Sequence, residues 1–400
     1  MTGNGGPSEL LQAGFTQKTF LALLEQQPEV DAVRDYIQTS AASVVPFVIN
    51  ATHDALSYPM DRLSNGHALL ELSAAGAGAD NNQSFGAAAD ALRRSIDLNR
   101  RNPEGGLWYF VYPEWSYLDG MYSLAPFYTL YTKTKTCEAE SMDTGTTNTT
   151  ALDDMYFQID LLWRHNRREE TGLLVHGYDA SRAAVWADPH SGASPYVWDR
   201  ALGWYVMALV DTLEILRAPS TSATREGSEY EGPLLEKFQS LAKAVIAAAD
   251  PQTGAWWQIM DQPGREGNYI ESSGSAMFAY ALLKGARLGY LGSVASDAVR
   301  AGTRAHNYLT KTFVVHEKDD ILGYNGTVSV CSLNSTATFE VSYLHPLFGF
   351  QLLQDQFCGM FANALMRACQ YYTHQPIEYN NVLGSNAYIL ASLEAERFQQ

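Results

Sequence analysis

From residue 8 to residue 397 apolar side chains recur at helical spacing in one segment after another, and they almost never alternate as a strand requires. The segments lie near 8–26, 30–46, 61–77, 86–100, 119–133, 151–166, 195–217, 233–249, 272–288, 294–313, 345–371 and 384–397. Strand-like alternation is confined mainly to "TVSVCSLNSTATFEVS" (327–342) and to short stretches before helices. About twelve helices without a parallel-strand signature predict an all-α fold. The arrangement expected is an (α/α)6 toroid of six inner and six outer helices with few short strands. An open solenoid would carry a sequence repeat of fixed period, and none occurs.

The segment 195–217 supports the toroid in detail. Ser194 is placed as an N-cap and Pro195 at the first helical position, a favourable start. At about 100° per residue, Trp198, Leu202, Tyr205 and Leu209 fall on one side, with Arg200, Trp204, Met207 and Asp211 roughly opposite. A surface helix is apolar along one stripe only, so this one is predicted to line the inside of the ring. Arg200 and Trp204 then share a face, about 40° apart. No break in composition divides the chain, so residues 1–400 are read as one catalytic domain, with polar surface loops near 133–150 and 217–233.

The formal charge of −17 argues against a nucleic-acid or anionic-membrane partner, either of which wants a basic face. It does not exclude an acidic small substrate, because the Debye length is only ~8 Å at physiological salt and one Arg outweighs a distant negative surface. No run of about 18 apolar residues predicts a membrane span. The N-terminal "MTGNGGPSELLQAGF" lacks the basic-then-apolar layout of a signal peptide, which predicts a cytoplasmic protein unless a signal has been removed. Eight Trp, 23 Tyr and 16 Phe exceed what a core needs, and carbohydrate clefts use such an excess because sugar rings stack on aromatic faces.

Within "YLDGMYSLAPFYTLYTK" (117–133), Asp119 is the only acidic residue among aromatic, aliphatic and small side chains. A carboxylate there is costly unless something meets it, so it is either a satisfied helix-start acid or a working one. A carboxyl group in such surroundings keeps its proton to higher pH, because burial disfavours the charged form. Polar groups also gather in "MDRLSNGHALLEL" (60–72), "LLVHGYDASR" (173–182), "WDRALGW" (198–204) and "GAWWQIMDQPGREGNYIESSGSAMFAYAL" (254–282). Singly, each has a bland reading: His176 as a core histidine, Asp179 with Arg182 as a local ion pair, Asp61 as a solvated acid beside Arg62.

Together these stretches resemble glycoside hydrolase family 105, the unsaturated rhamnogalacturonyl hydrolases, which are related to the unsaturated glucuronyl hydrolases of family 88. The resemblance rests on "TGLLVHGYDASRAAVWADPHSGASPYVWDRALGWYVMALVDTLE", "LDGMYSLAPF" and "ESSGSAMFAYALLKG", and covers roughly residues 55 to 395. It implies the toroid, no metal and no organic cofactor. By position it implies that Asp119 is the general acid and base, and that His176, Trp198, Arg200 and Trp204 hold the sugar. The family's second acidic position falls about 54 residues before Asp119, where this chain has Asn65. An amide there is expected to orient sugar or water, and Asp61 lies one turn earlier.

The chemistry implied is hydration of a 4,5-unsaturated uronic acid at the non-reducing end of a lyase-generated oligosaccharide. An acid protonates C4, water adds at C5, and the hemiketal opens to release the rest of the chain. One carboxyl can serve both steps. An ordinary inverting glycosidase is the alternative, pairing Asp119 with Asp61 or Asp179 about 6.5–9.5 Å away. A sugar-binding homologue that has lost activity is the other alternative, prompted by Asn65.

Overall fold

Along the chain, each of the first five helices that face the axis is followed by one that packs on its outside. The computed structural model describes residues 9–75, 79–141, 149–218, 227–333 and 371–398. In order the helices are α1 (Glu9–Gln26), α2 (Asp31–Val48), α3 (Ala51–Ser57), α4 (Gly66–Ala74), α5 (Ala79–Leu98), α6 (Asp119–Ser141), α7 (Thr149–Asn166), α8 (Asp199–Arg217), α9 (Ser228–Ala247), α10 (Ser272–Arg287), α11 (Ala295–Phe313) and α12 (Val382–Arg397). Helices α1, α4, α6, α8, α10 and α12 form the inner ring; α2, α5, α7, α9 and α11 back the first five. Because α12 packs against both α10 and α1, the ring closes, giving the expected (α/α)6 toroid. The helix expected at 345–371 lies outside the described residues up to 370, as do Cys358, Cys369 and the alternation from 334 onward.

Burial separates the two rings as amphipathicity predicts. Every residue from Ser272 to Gly285 of α10 is buried, and so is every residue from Asp199 to Leu213 of α8. In outer α11 the buried residues are Ala298, Gly302, Ala305 and Leu309, one stripe at steps of four, three and four. Gly302 belongs to that contact: a Cβ there would sit 2.8 Å from Leu283 Cγ on α10.

Several expected boundaries shift. Helix α8 begins at Asp199, not at Pro195, and Ser194 is no cap: its hydroxyl accepts from the Gly177 amide. Residues before Asp199 are claimed by tertiary pairing, with Trp198 bridged to Ile259. The segment expected as helix from 61 opens instead as a 3-10 turn, Met60–Asn65, before α4. Ser64 Oγ donates to Asp61 O, and Asn65 Nδ2 donates to Arg62 O and to Leu10 O. These side chains take carbonyls that an α-helix would use. The polar run after 133 continues α6 to Ser141, with Lys133 donating to the Ile215 and Leu216 carbonyls. The second expected loop ends early, at the start of α9. Among the described residues, strands are two or three residues long; β1 (Trp115–Tyr117) and β2 (Gly177–Asp179) pair antiparallel.

Towards the C-terminal ends of the inner helices, a buried ion network ties three of them together. Asp211 on α8 meets Lys18 of α1 and, at 2.7 Å, Lys284 of α10, and accepts from Tyr280 Oη at 2.8 Å. Burial alone would raise the Asp211 carboxyl, but Lys18 and Lys284 reverse this and hold it well below the usual carboxylate range. Its stabilising effect is therefore complete above the unfolded value of about 4 and is lost as pH falls below it. Asp211→Asn is expected to cost about 3–5 kcal/mol at pH 7, by leaving two buried ammonium groups poorly paired. It should also flatten the acid limb of the stability curve, which urea unfolding at pH 7 and at about pH 2.5 measures.

Candidate active site

The first residues of the inner helices surround one cavity of about 250 Å³. Asp119 is the first residue of α6, Trp198 and Arg200 flank the start of α8, Asp61 lies in the 3-10 turn leading into α4, and Leu11 and Leu383 sit near the starts of α1 and α12. His176 precedes β2, and Trp204 stands one turn into α8 below Arg200. Thus Asp119, His176, Trp198, Arg200 and Trp204 all line the same space.

The β1–β2 pair brings Asp119 to His176. Tyr117 is registered with Gly177, and the Leu118 amide donates to the His176 carbonyl at 3.0 Å. Gly177 makes this approach feasible, since a Cβ there would lie 2.6 Å from Ser116 O. His176 Nε2 then stands 3.1 Å from Asp119 Oδ2, close but without hydrogen-bond geometry. On its other side Nδ1 is hydrogen-bonded to Tyr372 Oη at 3.0 Å. Trp198 packs 4.9 Å from the His176 ring and donates through Nε1 to Gln258 Oε1. Below them Trp204 packs against Tyr122 and Phe15, closing the floor.

Arg200 is 1% exposed, and its guanidinium is already engaged. It donates to Ser273 Oγ and the Val328 carbonyl through Nη1 and to the Ser329 carbonyl through Nη2. Its Cζ lies 4.9 Å from the Trp198 ring centre, and Glu271 Oε1 is 3.9 Å from Nη1. Arg200 therefore forms wall and anchors the 328–329 segment.

Asn65 and Asp61 exchange the places expected of them. Asn65 does not line the cavity; it is fully buried, with its amide donated to Leu10 O at 2.9 Å and Arg62 O at 3.1 Å. Asp61 does line it, accepting from Tyr109 Oη at 2.7 Å. Burial pushes the Asp61 carboxyl up to about 7; the Tyr109 hydrogen bond opposes this, Asp119 adds to it, and Arg62 opposes it again. Sequence reasoning gave Asp61 only a secondary place, as a neighbour of Asn65 and in the two-carboxylate alternative, because a position counted along the motif does not register a 3-10 turn. The usable signal was an Asp one turn before a family position that lacks its acid.

Asp179 is excluded from the site chemistry by its bonds. It caps its own loop, accepting from Ser181 N, Ser181 Oγ and Ala184 N, and is absent from the cavity wall. Tyr109, Phe110, Tyr112 and Tyr117 supply the aromatic side of the wall. Tyr109 stacks on Tyr117 at 4.7 Å and Tyr112 on Trp115 at 5.2 Å. Among the described residues no helix is long and apolar enough to cross a membrane.

Asn65→Asp is expected to destabilise the fold by on the order of 2–3 kcal/mol, since it removes two buried donors and sets a carboxylate beside carbonyl oxygens. Chemical denaturation of the variant checks this; unchanged stability would return Asn65 to the list of site residues.

A family model described as Glycosyl Hydrolase Family 88 matches residues 13–345. The 24.9 kDa protein in the picA locus of Rhizobium radiobacter is 47% identical over 163 residues, 40% of this chain; the chain covers 66% of that relative's length. A glycoside hydrolase of family 105 from C. acetobutylicum ATCC 824 is 29% identical with a TM-score of 0.73, across 97% of this chain and 93% of that one. The unsaturated glucuronyl hydrolase of Bacillus sp. GL1, described as responsible for glycosaminoglycan degradation, shares the fold at 14% identity with a TM-score of 0.61, over 99% and 87% of the two chains.

Proposed function

The chain belongs to glycosyl hydrolase family 88, and we infer that it removes a 4,5-unsaturated uronic acid, of the rhamnogalacturonyl type, from the non-reducing end of lyase-generated oligosaccharides. The observation that carries this is the setting of Asp119: a carboxyl at the head of an inner helix, beside His176, in an aromatic-walled cavity it shares with one other acid.

Asp119 delivers its proton to C4 of the vinyl ether while the double-bond electrons form the new C–H bond. Positive charge develops at C5 and the ring oxygen. Water adds at C5, and Asp119, now a carboxylate, accepts the water's proton. The hemiketal opens and the leaving sugar departs. His176 steadies the Asp119 carboxylate between the two transfers, and Trp198 and Trp204 supply faces for the sugar ring. Asp61 takes the place first given to Asn65: neutral below about pH 7, it faces the uronate without repelling it.

Loss of the ultraviolet absorbance of the conjugated double bond is the direct test, with unsaturated galacturonyl-rhamnose and glucuronyl disaccharides compared. Asp119→Asn should cut turnover by at least ~10²–10⁴-fold with the fold retained, because the amide neither gives nor takes the proton. Residual activity above a tenth of wild type removes Asp119 from the role. Two carboxyls on one cavity also favour a second reading, an inverting hydrolase using Asp119 and Asp61. A saturated disaccharide separates the two, since only the inverting enzyme cleaves it.

The pH dependence follows from Asp61. As pH rises through about 7 its carboxyl ionises, placing a second negative charge beside Asp119 and the uronate. kcat/KM should therefore fall on the alkaline side with a component of apparent pKa near 7, and Asp61→Asn should remove that component and so change the limb. A limb that persists unchanged in Asp61→Asn would mean another group sets it.

A further inference from the structure

Tyr109 joins the two segments that carry the carboxyls. Its hydroxyl donates to Asp61 Oδ2 at 2.7 Å, and its backbone carbonyl accepts from the amide of Met60, the neighbour of Asp61, at 2.9 Å. Its own amide donates to Trp115 O at 2.8 Å, which fixes the residue to the start of β1. Across the cavity wall its ring stacks on Tyr117 with planes 23° apart, two residues before Asp119. The start of α6 rests on the same surface: a Cβ on Gly120 would lie 3.0 Å from Met60 Sδ and 3.4 Å from the Tyr109 ring. A side chain at position 120 would crowd Met60 and the Tyr109 ring, so the glycine eases the approach of the α6 start to the Asp61 turn.

Asp61 is 5% exposed, and its second oxygen, Oδ1, is buried with no hydrogen-bond partner among the described residues. A carboxyl held by one oxygen and unpaired at the other has a defined orientation and one position left for a proton. We propose that Tyr109 is a positioning residue for the reaction: by occupying Oδ2 it fixes the Asp61 carboxyl and confines its proton to Oδ1. This rests on the uronyl-hydrolase reading for its effect on turnover, but not for the contact itself.

The groups facing Asp61 are few. Asp119 comes from α6, Tyr109 from the loop before β1, and Arg62 from its own turn. Arg62 is held away by bonds to Ser95 Oγ and Ser95 O on α5 and to Asn99 Oδ1 just beyond it. Helix α1 meets the turn through the Leu10 carbonyl and through Gly14, which packs on Ser64. Of these, Tyr109 alone is hydrogen-bonded to the carboxyl, so removing one hydroxyl isolates its effect.

Tyr109→Phe keeps the ring and its stacking and deletes only the donor. The hydrogen bond favours the ionised carboxyl, so its loss should move Asp61 titration, and with it the alkaline limb of kcat/KM, upward by about 0.5–1 pH unit. The plateau should fall roughly threefold to tenfold as the carboxyl loses its fixed orientation. In an Asp61→Asn background the same substitution should shift no limb and add no such loss. The carboxyl ¹³C resonance of Asp61, assigned by its absence in Asp61→Asn, reads the titration without any substrate. That measurement keeps the two ideas apart, since a protein inactive on unsaturated disaccharides still reports whether Tyr109 sets Asp61. Should Tyr109→Phe fail to fold, 3-fluorotyrosine at position 109, a stronger donor, is expected to lower the midpoint instead. An Asp61 midpoint that either change leaves in place, or an equal loss of turnover with Asp61 absent, overturns the proposal.

Discussion

Everything at the site follows from inner helices that are buried on every side and share one direction. A helix apolar or small all round, like α8 or α10, cannot sit at a surface, so it must be ringed by partners. Each of the first five is followed by an outer helix that returns the chain to the starting end. The beginnings of the inner helices are thereby gathered at one mouth, with their positive dipole ends towards it. The opposite halves of α1, α8 and α10 are closed by the Lys18–Asp211–Lys284 network instead.

That geometry raises the cost of the acids it gathers. Asp61 and Asp119 come from different helix starts and meet in a small aromatic-walled space where water solvates them poorly. Two adjacent carboxylates in such a space repel, and burial together with the charge of Asp119 raises the Asp61 carboxyl. Asp119 keeps slightly more exposure and has His176 beside it. The division of roles therefore comes from solvation and neighbours, since the two side chains are chemically identical.

The helical order and the inner placement of the 195–217 segment were legible in the sequence, because amphipathic period is a property of the chain itself. The grouping of Asp119, His176, Trp198, Arg200 and Trp204 was legible through the resemblance of their motifs to family 105. What was not legible depended on partners distant in sequence. Ser194 and Pro195 form an acceptable helix start locally, but Gly177 and Ile259 claim that stretch for pairing. Asn65 reads as a polar residue in a functional motif, yet Leu10, 55 positions away, takes its amide. Tyr109 carries no signal at all, because its contact to Asp61 spans 48 positions and arises in a loop.

Arg200 shows how a motif residue can be rightly located and still differ in use. Guanidinium binds carboxylate well, but three of its N–H groups here are spent on Ser273, Val328 and Ser329. Its charge is also offset, because Glu271 lies 3.9 Å away while accepting from Ser273 Oγ, Gly274 N and Val328 N. Asp199, next to Glu271, is pushed far up by burial and by that neighbour. Arginine and glutamate together leave the wall near neutrality. On the uronyl-hydrolase reading, the repulsion of an anionic ring is then least while Asp61 keeps its proton, so the state of that buried carboxyl weighs more than the presence of one arginine.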